Sequence, residues 1–151
     1  MIYISHRGNL DGKNISKENH PNYIEKALNL GYNVEIDLWF INNKLVLGHD
    51  QPQYNLPQEL LISPAIWIHC KNSDCLFYLL QIQNEYHNLH FFWHEKDKYT
   101  LTSKSIGWAY PGSSLNKKTV CVLPEISFYS KQELLNSYGI CSDYIKEYRY
   151  D

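Results

Sequence analysis

The chain has no run of basic residues, no apolar stretch long enough to cross a membrane and no C-x-x-C pair. With 14 Lys and Arg against 16 Asp and Glu in 151 residues, its formal net charge is −2. A basic face for nucleic acid is therefore not expected, although a local basic pocket for one phosphate remains open. No segment approaches the ~18 consecutive apolar residues of a membrane span. The opening run Met1 to Ser5 is short and lacks the basic start of a signal peptide. The expectation is a soluble cytoplasmic protein. Of four cysteines, three (Cys70, Cys121 and Cys141) sit in strand-like runs, and the set with Cys75 reads as buried reduced thiols. A zinc site from His69, Cys70 and Cys75 is the weaker alternative, because the paired-cysteine spacing is missing. No repeat, low-complexity tract or linker divides the chain, and its length fits one domain.

What is present is core material. Hydrophobic residues make up 44% of the chain and aromatics 15%, with 13 tyrosines, which argues against wholesale disorder. Met1 to Ser5 predicts a strand. Pro21 to Leu30 predicts a helix, with Pro21 in its first turn and Gly31 past its end. Asn33 to Phe40 predicts a second strand, extended into a hairpin over Trp39 to Leu47 by the Asn42-Asn43 turn. Gln51 to Pro64 reads as a loop with a helical turn near Gln58 to Leu61. Ala65 to Cys70 is a third strand and Asp74 to Tyr86 a helix with Ser73 as its cap. Leu89 to Trp93, Ser105 to Ala109 and Thr119 to Leu123 are further strands. Lys131 to Ser137 is a short helix, and Ile140 to Ile145 a seventh strand. Alternating strands and helices imply βαβ units and a parallel sheet, with helices reduced in the second half.

The polar residues gather at the carboxyl ends of these strands: His6 and Arg7, His69 and Lys71, His94 and Glu95, Glu125, and Asp143. In parallel α/β folds that edge carries the active site. The second strand, Val34-Glu35-Ile36-Asp37-Leu38, puts both carboxylates on one face and the aliphatics on the other. A strand covered on both faces should be nearly all apolar. Two buried acids would each cost several kcal/mol unless paired or coordinated. A divalent cation held by oxygen ligands, Mg²⁺ or Ca²⁺, is the economical compensation. The plain alternative is an edge strand whose two acids are wet. In the third strand, His69 and Lys71 share a parity with Trp67 and project towards the same mouth.

Several segments carry a family resemblance. Ile4-Ser5-His6-Arg7-Gly8 resembles the opening His-Arg-Gly of the glycerophosphodiester phosphodiesterases. Glu18-Asn19 resembles their Glu-Asn before the first helix. Gly31 to Leu38 looks like their Gly-x-x-x-Glu-x-Asp strand, Leu45 to Asp50 like their Val-x-x-His-Asp, and Gly139 to Asp143 like their late Gly-x-x-(Thr/Ser)-Asp strand. The resemblance implies a (β/α) TIM-like barrel, here trimmed to about seven parallel strands, because barrels of this type need about 250 residues. It implies a phosphodiesterase acting on a small glycerophosphodiester-like molecule. Glu35 and Asp37 would bind the metal, His6 and His49 would be general acid and base, and Arg7 would contact the phosphate, with Lys71 as a second cation. His69 stands where the family has a third acidic ligand, which brings in Mn²⁺ or Zn²⁺; Glu95 or Glu125 would compensate. Glu18, His94, Glu95, Tyr110 and Glu125 are the remaining pocket candidates. The alternative function is a degenerate barrel that binds a phosphorylated ligand or partner without turnover. The oligomeric state is not legible.

Overall fold

A computed structural model of the chain describes residues 1–149. The order of elements is β1 (Ile2–His6), α1 (Pro21–Asn29), β2 (Asn33–Ile41), β3 (Lys44–Leu47), β4 (Tyr54–Asn55), α2 (Gln58–Leu61), β5 (Ile66–Cys70), α3 (Ser73–Ile82), β6 (Phe91–Trp93), β7 (Tyr99–Leu101), β8 (Gly107–Ala109), β9 (Thr119–Val122), α4 (Lys131–Leu135), β10 (Gly139–Ser142) and α5 (Ile145–Tyr148).

The strands form one mixed sheet. Parallel pairing runs β6–β5–β2–β1–β10–β9–β8, while β3 on β2, β4 on β3 and β7 on β8 are antiparallel. This overturns the expected (β/α) barrel: the sheet is an open half-barrel, with five short α-helices among the described residues, not a TIM-like barrel. The physical reason lies between β6 and β8. A parallel crossover consumes a dozen or more residues, usually as a helix. Residues 94–106 are spent instead on the antiparallel strand β7. The β6 and β8 edges therefore share no ladder. Isolated hydrogen bonds join β6 to residues 100–103 instead, among them Ser103 N to Phe91 O at 2.8 Å, Phe91 N to Ser103 Oγ at 3.0 Å and Thr100 Oγ1 to Trp93 O at 3.0 Å.

Local chemistry explains the remaining differences. The α3 cap is Asn72 rather than Ser73. Its Oδ1 accepts from Cys75 N and Phe40 N, and its Nδ2 donates to Phe40 O, so one amide joins the helix to the end of β2. That helix ends at Ile82 instead of Tyr86. The expected strand 140–145 stops at Ser142, and Ile145 begins α5. In α1, His20 caps Asn22 N and Pro21 opens the first turn. All four cysteines are free and buried. Among the described residues no helix is long and apolar enough to cross a membrane.

Strand parity builds two cores. Val34, Ile36 and Leu38 of β2, with Ile66 and Ile68 of β5, pack outward against Ile24, Ala27 and Leu79 of the helices. The other face holds Ile4, Trp67, Phe92, Trp108, Val120 and Cys141. Along this inner face the aromatic layer lies towards the amino ends of the strands, and the ionisable residues lie towards their carboxyl ends. The β2–β3 hairpin returns the chain to that edge. There Gly48 takes φ +149°, and a methyl group on it would collide with the Gln51 carbonyl. Gly48 N also donates to Asp37 O at 3.1 Å. Gly48→Ala should therefore cost about 1–3 kcal/mol in urea unfolding; an unchanged midpoint would contradict this geometry.

Candidate active site

Glu35 and Asp37 are 2% and 0% exposed, so the wet-edge alternative does not hold. Asp37 is surrounded by donors. Its Oδ2 lies 2.8 Å from Arg7 Nε and accepts from Asn19 Nδ2 at 2.9 Å. Its Oδ1 lies 3.1 Å from His69 Nδ1 and 3.4 Å from Lys71 Nζ. Burial opposes its ionisation, yet the His69 hydrogen bond and the Arg7 and Lys71 charges hold its carboxyl well below the ordinary range. Glu35 is the opposite case. Burial and the adjacent Asp37 charge push its carboxyl up. Its Oε2 is buried and has no hydrogen-bond partner, with His6 Nε2 3.9 Å away; its Oε1 lies 3.8 Å from His69 Nδ1.

The turn after β1 supplies the cations. Arg7 and Asn19 both adopt left-handed φ, 54° and 61°. Arg7 N donates to Glu35 O at 2.9 Å and Asn19 N to Arg7 O at 3.0 Å, which fastens the turn to β2. Glu18 sits behind it, 3.2 Å from Arg7 Nη1 and 2.9 Å from Asn9 Nδ2. Glu18 thus orients Arg7 and does not line the main cavity.

His6 is held by Asp143, with Nδ1 to Oδ1 at 2.6 Å. A carboxylate only accepts, so Nδ1 carries the hydrogen and Nε2 faces Glu35. Burial lowers the proton affinity of His6, but the Asp143 hydrogen bond and the Glu35 charge outweigh it, and the net shift is upward. Asp143 is fixed in turn: its N donates to Glu125 Oε1 at 2.9 Å, and Asn9 Nδ2 donates to its Oδ1 at 2.8 Å. Ser142 Oγ donates to Glu125 Oε2 at 3.0 Å. Glu125 therefore anchors Asp143 and takes no place as a compensating ligand beside Glu35.

His49 is half-buried at the rim, with Nδ1 2.7 Å from Asp50 Oδ1. Burial, helped by the Arg7 and Lys71 charges, lowers its proton affinity. His69 stacks on Phe92 at 5.2 Å and sits between two acceptors, Asp37 Oδ1 and His94 O, each at 3.1 Å. A carbonyl only accepts, so Nε2 directs its N–H at His94 O, and Nδ1 is the ring nitrogen turned towards Asp37 and Glu35.

These groups share one cavity of about 470 Å³. His6, Arg7, Glu35, His49, His69, Lys71, His94, Glu95 and Tyr110 line it, with Cys70, Trp93, Trp108, Val122 and Leu123 completing the wall. Asp37, Glu18 and Glu125 stand behind it. Asp143, Asn9 and Asn19 are the functional residues that motif reading left without a role. Asp143 had a signal, since it ends the last strand of an edge already crowded with ionisable groups. Asn9 and Asn19 act through turn geometry that no spacing rule reveals.

The raised Glu35 carboxyl has a measurable consequence. An acid that holds its proton more tightly when folded loses stability as pH climbs through the ordinary carboxylate range. In EDTA, Glu35→Gln should therefore melt higher than the wild type near pH 8, by about 1–3 kcal/mol of stability, and the difference should shrink near pH 4. A variant less stable than the wild type at pH 8 would show that Glu35 is already compensated.

No protein-family model, curated protein or solved structure matches the chain, and what the site does is read from these side chains.

Proposed function

We propose that this chain is a metal-dependent phosphoric diester hydrolase acting on a small glycerophosphodiester-like substrate, with His6 and His49 as its proton-transfer pair. The supporting observation is a buried carboxylate oxygen without a partner, Glu35 Oε2, on a cavity wall that also carries Arg7, Lys71, His6 and His49. Donor atoms of Glu35, Asp37 and His69 lie within 4.8 Å of one another, a spacing that fits a divalent cation. Two carboxylates suit Mg²⁺ or Ca²⁺, and the imidazole admits Mn²⁺ or Zn²⁺. Such a cation, when bound, stabilises charge on the non-bridging phosphate oxygens.

The chain's own residues do the rest. Arg7 and Lys71 meet the phosphate oxygens, and their ion pairs with Asp37 hold them in place before substrate arrives. The opposite shifts of the two histidines divide their labour. His49, neutral and open to water, takes the proton of the attacking nucleophile. His6, whose proton affinity the Asp143 hydrogen bond raises, gives one to the leaving alcohol. Asp143 is a positioning residue for His6. The free, buried thiols fit a reducing compartment, so a cytoplasmic location belongs to this proposal.

A second reading rests on Asp37, whose charge is already matched by Arg7, Lys71 and His69. A site compensated from within can bind a phosphorylated ligand without turning it over. Hydrolysis of bis(p-nitrophenyl) phosphate and glycerophosphodiesters, with each metal and with EDTA, separates the two. The enzyme reading expects turnover that EDTA abolishes. Phosphate binding without turnover under any metal selects the binder.

His6→Ala and His49→Ala should each lower kcat by about 10²-fold or more while the fold is kept. Near-normal activity in either would remove it from the mechanism. The pH profile of kcat/KM should be bell-shaped. Asp143→Asn removes the hydrogen bond that raises His6, so its alkaline limb should move to lower pH; an unmoved limb would assign that limb to another group.

A further inference from the structure

The cavity has a second wall that phosphate chemistry leaves unused. Next to Lys71, on the neighbouring strand and beyond it, this wall is built by Trp93 and His94 at the end of β6, Glu95 beyond them, and Tyr110 after β8. Both ring nitrogens of His94 are shielded from solvent and lack a hydrogen-bond partner. Its ring lies 5.6 Å from that of Tyr110, tilted by 34°. Tyr110 is 51% exposed and Trp93 37%, so each offers ring surface that nothing in the fold covers.

Each feature narrows the occupant. An imidazole whose two ring nitrogens both lack partners calls for a ligand group that can hydrogen-bond on either side of the ring. A hydroxyl group both donates and accepts, and therefore matches it. Glu95 accepts hydrogen bonds and repels a second anion. A plain alkyl chain would leave the His94 nitrogens buried and unpaired, which is penalised. A phosphoglycerol group has no flat face for the aromatic rings and fills only part of 470 Å³, roughly the space of fifteen waters.

We infer that this wall is a subsite for a sugar ring carried as one alcohol of the phosphodiester, with Tyr110 against its apolar face and His94 and Glu95 bonded to its hydroxyls. The inference rests on the phosphodiesterase reading of the same cavity and names the chemistry of one substrate arm. Sites built to hydrogen-bond a substrate hydroxyl reject analogues lacking it far more strongly than apolar pockets reject a changed methylene.

Calorimetric titration of the full chain with glucose 1-phosphate, ethyl phosphate and inorganic phosphate tests it without requiring turnover. Glucose 1-phosphate should bind at least about tenfold more tightly than ethyl phosphate. Tyr110→Ala and His94→Ala should each reduce that ratio to within about twofold, whereas Tyr110→Phe, which keeps the ring, should retain it. Thermal melting checks the fold of each variant, and Tyr110→Leu replaces Tyr110→Ala if the latter melts early. Equal affinity for the two esters in the wild type would overturn the subsite while leaving the phosphate site standing. A preference that survives loss of the Tyr110 ring would also overturn it. Binding of none of the three would remove the phosphate site and the subsite together.

Discussion

Two carboxylates on the inner face of one parallel strand are the constraint on which the site depends. Neither Glu35 nor Asp37 reaches bulk solvent, and an unpaired buried charge costs several kcal/mol. The surrounding chain is arranged around that cost. Arg7 arrives on a left-handed turn that Asn19 and Glu18 hold against β2. Lys71 and His69 arrive from β5, whose register places His69 directly opposite Asp37. The compensation is uneven: Asp37 is saturated, and Glu35 keeps a buried oxygen without a partner. That asymmetry leaves Glu35 as the acid the fold has not satisfied, and the cation proposed above would supply the missing partner.

The layer beneath the acids makes the arrangement rigid. Trp67 packs on His90 at 3.9 Å, and Phe92 on Trp108 at 4.7 Å, which fills the inner face where a ligand would otherwise sink. His90 donates to or accepts from Thr102 at 2.7 Å. Burial and the Lys104 charge push His90 down to about 4, which keeps it neutral. The open side of the half-barrel is thus plugged by aromatic packing in place of a closing ladder. The ionisable groups are confined to the rim, where His6 is braced through Asp143 to Glu125 and where Gly48 delivers His49.

The parity of Val34-Glu35-Ile36-Asp37-Leu38 made both the outer core and the inner acid pair legible from residues alone, because alternation along a strand is strictly local. The Asn42-Asn43 turn was legible for the same reason. Closure was not, because it depends on what residues 94–106 do, and their scattered Tyr, Thr and Leu carry no period that distinguishes an antiparallel strand from a loop. The Asn72 cap was hidden by the neighbouring Ser73, an equally good capping residue by type; only the reach of Asn72 to Phe40 decides between them. The Glu125–Asp143–His6 chain joins His6 to two residues more than a hundred positions away, a relation set by the β9–β10–β1 pairing and invisible before that pairing is known.

The proposed cation would be held by Glu35, Asp37 and His69, so its position is the most direct measurement. Crystals soaked in Mn²⁺ and inorganic phosphate would be examined by anomalous diffraction at the manganese edge. The account predicts one strong peak within bonding distance of Glu35 Oε2 and the Asp37 carboxylate, with phosphate between it and Arg7. A fully occupied phosphate with no peak there, or a peak bound elsewhere while Glu35 Oε2 stays bare, would contradict it.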